Sequence, residues 1–264
     1  MKTYRYVKLD PTGNITCLVL DPAEPGDEQV LTRELLKECE QVAYLEEPSL
    51  PETVAAIRLM GGEFCGNAAM AAGAWLVRDE LAAGSKMSFL MQVSGASEPV
   101  NCCISRKAEG FEGTVAMPPV KEIREESIGG KSFTLVRMDG IVHLIDEGTS
   151  LEKEAAEKLL REAADTLPDE AVGLLQWNRE MQYMRPLVYV RGSESMVWEN
   201  GCGSGSAAVG AAEALRAGNG VKFTQVKQPG GVIGVSAEAE DGQILSVQIT
   251  GQVRLNTETV IELP

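Results

Sequence analysis

Two cysteines stand out because each is followed by glycine at the start of a stretch rich in alanine and glycine. Cys65 opens Cys-Gly-Asn-Ala-Ala-Met-Ala-Ala-Gly, and Cys202 opens Cys-Gly-Ser-Gly-Ser-Ala-Ala-Val-Gly. Alanine is the strongest helix former, so both stretches are predicted to be helices with the cysteine at the N-terminus. The unpaired N–H groups and the positive dipole end there lower a thiol pKa. We therefore expect a thiolate to be accessible near neutral pH.

This pattern favours proton transfer at the α-carbon of an amino acid. The glycines that follow, Gly66 and Gly203, let the backbone approach a carboxylate, which the N–H groups of a helix start can bind. If both helices point at one cleft, a thiolate removes the α-proton on one face and a thiol returns a proton on the other. The site must exclude water and stabilise the carbanion. Such a reaction requires no cofactor.

The two cysteine segments lie about half of the 264-residue chain apart, which indicates an internal duplication. The elements that must position them also recur in each half. In the first half we predict strands Tyr4–Leu9 and Ile15–Leu20, a turn over Asp10–Asn14, and a helix over Asp27–Val42. In the second half we predict a helix opened by a capping box at Thr149–Glu152, strands Leu187–Val190 and Met196–Trp198 before Cys202, and strands Phe223–Val226 and Ile233–Val235 after it.

The composition excludes several classes of function. With 24 Lys+Arg against 39 Asp+Glu, the net charge of −15 disfavours a nucleic-acid partner. No uncharged run is long enough to span a membrane, and the charged, alternating N-terminus predicts a cytoplasmic protein. The cysteines lack CxxC spacing and His143 is the sole histidine, so no metal site is expected. Cys17 and Cys39 are interpreted as small buried hydrophobes.

Several segments, spread in order over nearly the whole chain, carry a family resemblance. They are Tyr6–Asn14, Cys39–Val42, Gly62–Asn67, Met117–Pro118, Trp198–Gly205, Gln228–Gly231 and Gly251–Val253. In these segments the chain resembles the cofactor-independent amino-acid racemases and epimerases of the diaminopimelate epimerase fold. Within that group it is most similar to the histidine racemases of staphylopine-type metallophore pathways.

The resemblance implies an α/β (α+β) protein of two pseudo-symmetric domains, each a barrel-like sheet around a central helix, with the active site in the cleft between them. The first domain would cover 1–118, completed by a C-terminal strand at 254–264, and the second would cover 119–253. The implied site residues are Cys65 and Cys202 as the two bases, Asn14 and Gln41 as ligand contacts, Gly66–Asn67 and Gly203–Ser204 as carboxylate cradles, Glu199 as the receptor of the α-ammonium group, and His143 near the thiols.

Three of these residues also have purely structural interpretations. Asn14 follows Gly13 in a turn, where asparagine is favoured by its own backbone preferences. Gln41, near the end of the predicted helix, could be solvated. His143 lies in an apolar strand-like run, where an ordinary core histidine is common.

Departures from the epimerase pattern indicate the substrate. Asn200 follows Glu199 where those epimerases have an arginine for a distal carboxylate, and Ile141 replaces an asparagine. Histidine, or another amino acid with a non-anionic side chain, is therefore favoured over diaminopimelate. Diaminopimelate epimerase, racemase of another amino acid and a non-catalytic small-carboxylate binding protein stay open as alternatives. The oligomeric state is also open, with a homodimer as one outcome.

Overall fold

A computed structural model describes residues 2–148, 150–192 and 194–263. It contains, in the first half, β1 (Lys2–Pro11), β2 (Thr16–Val19), α1 (Pro25–Leu35), β3 (Gln41–Glu46), β4 (Thr53–Leu59), α2 (Gly66–Leu76), β5 (Lys86–Val93), β6 (Val100–Arg106) and β7 (Phe111–Ala116). It continues with β8 (Glu122–Ile128), β9 (Lys131–Met138), β10 (Ile141–Asp146), α3 (Lys153–Thr166), β11 (Ala171–Asn178), β12 (Tyr183–Val190), β13 (Ser195–Trp198), α4 (Gly203–Ala217), β14 (Gly220–Gln228), β15 (Gly231–Glu240) and β16 (Gln243–Leu263).

The chain divides into two compact units. Unit 1 comprises Met1–Ala116 and Thr250–Pro264, and unit 2 comprises Met117–Ile249, so that the long strand β16 contributes to both. The mixture of helices and sheet confirms the predicted fold class.

In unit 1 eight strands form a ring around a helix. The hydrogen-bonded order is β1-β2-β3-β4-β5-β6-β7-β16, and β16 closes the ring by pairing antiparallel with β1. Helix α2 is buried from Gly66 to Trp75 and packs against β1, β2, β6 and β7. The small side chains of this helix allow strands to approach it on several sides, which explains its alanine and glycine content.

Unit 2 repeats the same arrangement of elements. Its strand order is β16-β15-β14-β12-β11-β10-β9-β8, with β13 paired to β12. Helix α4 is almost entirely buried and packs against β9, β10, β11, β14 and β15. In each unit the outer helix connects two parallel strands, β2 and β3 across α1 or β10 and β11 across α3. The central helices also lie between parallel strands, β4 and β5 for α2 or β12 and β14 for α4.

Each central helix packs closely against a strand at a glycine. This glycine lies the same number of residues after the cysteine in both helices. A Cβ at Gly210 would lie 2.3 Å from Val235 Cγ1, and one at Gly73 would lie 3.2 Å from Ile104 Cδ1. Each glycine lies eight residues after the cysteine of its helix. This matched contact supports the duplication that the sequence indicates.

The two outer helices bury one face each. Helix α1 inserts Leu31 and Leu35 into a core formed with Tyr4, Tyr6 and Cys17. Helix α3 buries a complementary set of small and aliphatic side chains, Ala156, Leu160, Ala163, Ala164 and, just beyond the helix, Leu167. These cores fix the strands that carry the candidate site residues.

The helix predicted over Asp27–Val42 is too long. Helix α1 ends at Leu35, and Gln41 and Val42 belong to β3, where they pair with Thr16 and Cys17 of β2. Val42 matches helical spacing only by coincidence, since it belongs to a strand that pairs parallel with β2 and antiparallel with β4.

The capping box predicted at Thr149–Glu152 is also wrong. Thr149 lies outside the described residues, but α3 has Glu152 as its N-cap, without a side-chain cap hydrogen bond. The neighbouring Ser150 hydroxyl donates to Gln176 Oε1 of β11.

Candidate active site

Cys202 is the N-cap residue of α4. Its backbone is extended (φ −102°, ψ 108°), and its sulfur accepts a hydrogen bond from Gly205 N at 3.2 Å. The residue is only 3% exposed, and Leu175 and Met184 lie close to the same helix turn. The sequence prediction of a cysteine at this helix start is confirmed, and the thiol lies in a largely dry environment.

Two residues to which the sequence assigned no site role fix the Cys202 backbone. Gln228, buried at the end of β14, accepts a hydrogen bond from Cys202 N through Oε1 at 2.7 Å. Its Nε2 donates to Ser206 Oγ at 2.9 Å, and Ser206 Oγ in turn donates to Cys202 O at 2.7 Å. The N–H and the C=O of Cys202 therefore both have hydrogen-bond partners, one on β14 and one on α4. These two bonds fix the backbone that orients the thiol.

His143 and Ser204 extend this network to the sulfur. His143 Nε2 lies 3.0 Å from Ser204 Oγ, and Ser204 Oγ lies 3.6 Å from Cys202 Sγ. His143 comes from β10 and Ser204 from the first turn of α4. The structure therefore brings together three of the residues that the resemblance implied for this half of the site.

The expectation of a lowered thiol pKa is wrong for Cys202. Burial raises the pKa of Cys202 well above its ordinary value of 9.0, and the neighbouring Glu199 carboxylate raises it further. Hydrogen bonds from Ser204 and from the Gly205 backbone act in the opposite direction but are weaker. The helix start alone does not decide the charge here because removal of water and a nearby anion outweigh it.

Burial also determines the charge of His143. Its side chain is fully buried, and burial lowers its pKa from 6.5 to about 3. The imidazole is therefore neutral at physiological pH. Its burial confirms the core interpretation of this histidine. Its Nε2 also contacts the hydroxyl next to the candidate thiol, and its role at the site stays a prediction.

Cys65 is the N-cap residue of α2 and repeats the local geometry of Cys202. Its sulfur accepts a hydrogen bond from Ala68 N at 3.4 Å, and the following Gly66 and Asn67 begin the helix and are buried. Cys65 itself is half-buried. Ser94, a further residue that the sequence analysis did not identify, accepts from Leu59 N and donates to Glu63 O, and so ties down the loop before the cysteine.

Asn14 and Gln41 contact each other directly in unit 1. Gln41 Nε2 donates to Asn14 Oδ1 at 2.5 Å and lies 2.7 Å from Thr16 Oγ1. Asn14 Nδ2 donates to Glu40 Oε2 at 3.3 Å. Both amides are buried, so Gln41 is not the solvated residue of a helix end that the sequence alone allowed. The pair holds the Asn14 amide in one orientation.

Three of the four remaining cysteines have structural roles. Cys17 is fully buried, Cys102 is fully buried with its pKa raised to about 12 by burial, and Cys39 packs on the α1 core with its thiol donating to Leu35 O.

Among the described residues, no group of three or more His, Cys, Asp or Glu side chains is placed to hold a metal ion. None of the described helices has both the length and the apolar character required to cross a membrane.

Comparison with known families gives a match over nearly the whole chain. The model of the histidine racemase CntK N-terminal domain matches residues 3–261. A histidine racemase of Staphylococcus aureus is 28% identical over 260 residues, covering 94% of this chain and 93% of that protein. A histidine racemase of Fusobacterium nucleatum subsp. nucleatum is 30% identical over 218 residues, covering 78% of this chain and 79% of that protein.

Solved structures share the fold at low sequence identity. A hydroxyproline epimerase from Agrobacterium vitis, with bound trans-4-hydroxy-L-proline, has a TM-score of 0.72 at 15% identity and covers 98% of this chain and 92% of its own. A protein described as a probable proline racemase from Agrobacterium radiobacter, with bound carbonate, has a TM-score of 0.74 at 14% identity, covering 99% and 93%. These matches confirm the epimerase-type fold that the resemblance implied.

Proposed function

The chain belongs to the histidine racemase CntK family, and on this premise we propose that it interconverts L- and D-histidine with two cysteine thiols and no cofactor. The observation that carries the mechanism is the repeated N-cap geometry. Cys65 and Cys202 each begin a buried central helix and each accept a backbone N–H bond from the residue three positions on. A protein that only binds a carboxylate needs the helix starts but has no use for two thiols.

The two cysteines have different resting states in this proposal. The raised pKa of Cys202 keeps it as a neutral thiol, which makes it the proton donor in the empty enzyme. Cys65, which is more exposed, then acts as the thiolate base. Cys65 takes the α-proton of one enantiomer as Cys202 delivers its own proton to the opposite face of the carbanion. After one turnover Cys65 is the thiol and Cys202 the thiolate, so the reverse enantiomer is processed with exchanged roles.

Backbone and carboxylate groups hold the reacting amino acid. The N–H groups in the first turn of a helix have no acceptor within that helix, so those at Gly66–Asn67 and Gly203–Ser204 suit the α-carboxylate and the negative charge that develops in the transition state. Glu199 is assigned to the α-ammonium group. Ammonium binding would offset the negative charge that Glu199 places beside Cys202, which favours formation of the Cys202 thiolate.

The side-chain specificity is assigned to histidine. Asn200 and Ile141 provide no cationic fork for a distal carboxylate, which argues against diaminopimelate. The buried amides of Asn14 and Gln41 are assigned to substrate contact, because a fixed array of donors and acceptors suits a neutral polar ring. A racemase of another amino acid is the alternative within the same chemistry.

Solvent exchange tests the proposal directly. The protein is incubated in D₂O with each L-amino acid, without pyridoxal phosphate, and loss of the α-proton signal is followed together with chiral analysis of the product. We expect exchange and racemisation of histidine from both enantiomers. Exchange with diaminopimelate but not histidine would reassign the substrate, and histidine binding without exchange would replace the racemase with a binding protein.

A further inference from the structure

In unit 2, three polar side-chain atoms form a chain of contacts from His143 through Ser204 to Cys202. The two contacts, 3.0 Å and 3.6 Å, connect a fully buried ring on β10 to the sulfur at the start of α4 through a single hydroxyl. A hydroxyl has one proton to donate and can also accept. The direction of the hydrogen bond from the histidine therefore decides where the serine proton points.

The environment of the ring determines its tautomer. His143 Nδ1 is buried and has no hydrogen-bond partner among the described residues, because it lies against the backbone of Gly173 on β11. A neutral imidazole carries one N–H, and a buried donor without an acceptor is less common than a buried acceptor without a donor. The proton therefore belongs on Nε2, where Ser204 Oγ accepts it.

We infer that His143 is a positioning residue which, as the neutral Nε2–H tautomer, directs the Ser204 hydroxyl proton to the Cys202 sulfur and so stabilises the Cys202 thiolate. Since Nε2 already donates to Ser204 Oγ, the serine proton is left for the sulfur. The Gly205 N–H is the second donor to that sulfur. The role of this arrangement in turnover rests on the proposed racemase function, whereas the assignment of the His143 tautomer does not depend on that function.

The charged surroundings explain why such a donor is needed. Glu199, after β13, is the charged group that acts on Cys202, and it disfavours the thiolate, as does burial. On the other elements packed around the thiol, α4 contributes Ser204 and Gly205, β14 contributes the neutral Gln228, and β10 contributes the neutral His143. The serine hydroxyl is thus the side-chain donor that opposes Glu199, and it acts when Cys202 gives its proton to the carbanion.

The single histidine makes the tautomer directly observable. Protein labelled with ¹⁵N-histidine gives the nitrogen signals of His143 alone, because the chain contains one histidine. We expect a protonated Nε2 and an unprotonated Nδ1 that do not titrate between about pH 5 and pH 8, and a shift of the Nε2 signal in Ser204→Ala. A protonated Nδ1, or an imidazolium in this range, would overturn the inference whether or not the protein racemises histidine.

Three variants test the effect on the thiol. Ser204→Ala keeps the backbone N–H groups but loses the hydroxyl, so we expect kcat for histidine to fall about tenfold or more, with KM changed less than about twofold. His143→Leu should behave in the same way, whereas His143→Gln, which can supply an amide N–H near the position of Nε2, should recover most of the activity. Ser127→Ala, an exposed serine on β8 of the same unit, is the matched control.

Two results would contradict the assignment. Unchanged kcat in Ser204→Ala would show that the hydroxyl does not stabilise the thiolate. Equal loss in a folded His143→Gln and a folded His143→Leu would show that the donor at this position has no role. Ser204→Ala keeps the test decisive if the leucine variant fails to fold, because Ser204 is only partly buried and its substitution removes one oxygen atom.

Discussion

Gly173 provides the space that the imidazole of His143 occupies. The two residues lie opposite each other in the parallel register of β10 and β11, and a Cβ at position 173 would lie 2.2 Å from His143 Nδ1. The glycine has no turn to make at this position, since it lies inside a strand. Because Gly173 has no side chain, the imidazole of His143 fits beside it and reaches the Ser204 hydroxyl.

Gly173→Ala should therefore displace the imidazole and uncouple it from Ser204. We expect a loss of about 1–3 kcal/mol in the free energy of unfolding, measured by denaturant titration, together with a fall in kcat like that of His143→Leu. The matched control is Gly192→Ala, where a Cβ would meet nothing within 4 Å. In a His143→Ala background the added methyl should cost almost nothing further, and an additive cost would contradict the steric explanation.

Replacement of either cap cysteine by serine should abolish racemisation. Serine preserves the size and the N-cap hydrogen bond but has a hydroxyl pKa far too high for the base, so we expect kcat to fall by roughly 10³-fold or more in Cys65→Ser and in Cys202→Ser. Histidine binding, measured by calorimetry, should persist in both. Cys103→Ser, at a half-buried cysteine on β6, is the control. Substantial turnover in either cap variant would contradict the two-base mechanism.

The sequence predicts the local features of this site better than its environment. Cys65 and Cys202 are recognisable because a cap, a glycine and an alanine-rich helix are contiguous in the chain. The clamp on Cys202 is not recognisable, because Gln228 reaches it from the end of β14, 26 residues further along the chain. The same holds for its raised pKa, which depends on burial and on Glu199 rather than on the helix start. The length of α1 was overestimated because apolar spacing does not reveal that Val42 pairs with β2.

The buried His143 should make stability depend on pH above the range of the carboxylates. Its pKa falls from 6.5 in the unfolded chain to about 3 in the fold, so unfolding takes up a proton between these values. The free energy of unfolding is then fully maintained above about pH 7.5 and decreases as the pH falls below that value, by about 1 kcal/mol at pH 5.5. His143→Gln should flatten the profile between about pH 7 and 5.5, and an equal slope in the variant would show that another group is responsible.

Carboxylates with lowered pKa values change the free energy of unfolding over a lower pH range than His143 does. Asp21, held by Arg5, and Glu38, held by Lys8 and Tyr6, have pKa values below their ordinary values of 3.8 and 4.5. Their contribution is complete above about pH 5 and is lost progressively as the pH falls through those ordinary values toward the lowered ones. The pH range in which these carboxylates lose their contribution lies below the range of His143. A change in the free energy of unfolding between pH 7 and pH 5.5 therefore reports on His143.

Gln41→Glu tests the amide pair in unit 1. A glutamate carboxylate cannot donate to Asn14 Oδ1, so the Asn14 amide should lose its fixed orientation. If Asn14 contacts the substrate, KM for histidine should rise about tenfold while kcat changes less. Gln29→Glu, an exposed residue of α1, is the control of equal charge change. A variant that loses stability but keeps the KM of the wild type would assign the pair to the fold alone.

The clamp of Gln228 on Cys202 makes a separate prediction about stability and rate together. Gln228→Leu preserves bulk but leaves the buried Cys202 N–H without its acceptor, so we expect a loss of about 1–3 kcal/mol in the free energy of unfolding. Gln225→Leu, an exposed glutamine on the same strand, should change stability by less than about 0.5 kcal/mol. Because Gln228 also holds Ser206, whose hydroxyl fixes Cys202 O, the costs of Gln228→Leu and Ser206→Ala should be less than additive. Since the clamp aims the thiol, kcat should fall in Gln228→Leu even where the protein is fully folded, and a folded variant with unchanged kcat would show that the clamp supports the fold without positioning the sulfur.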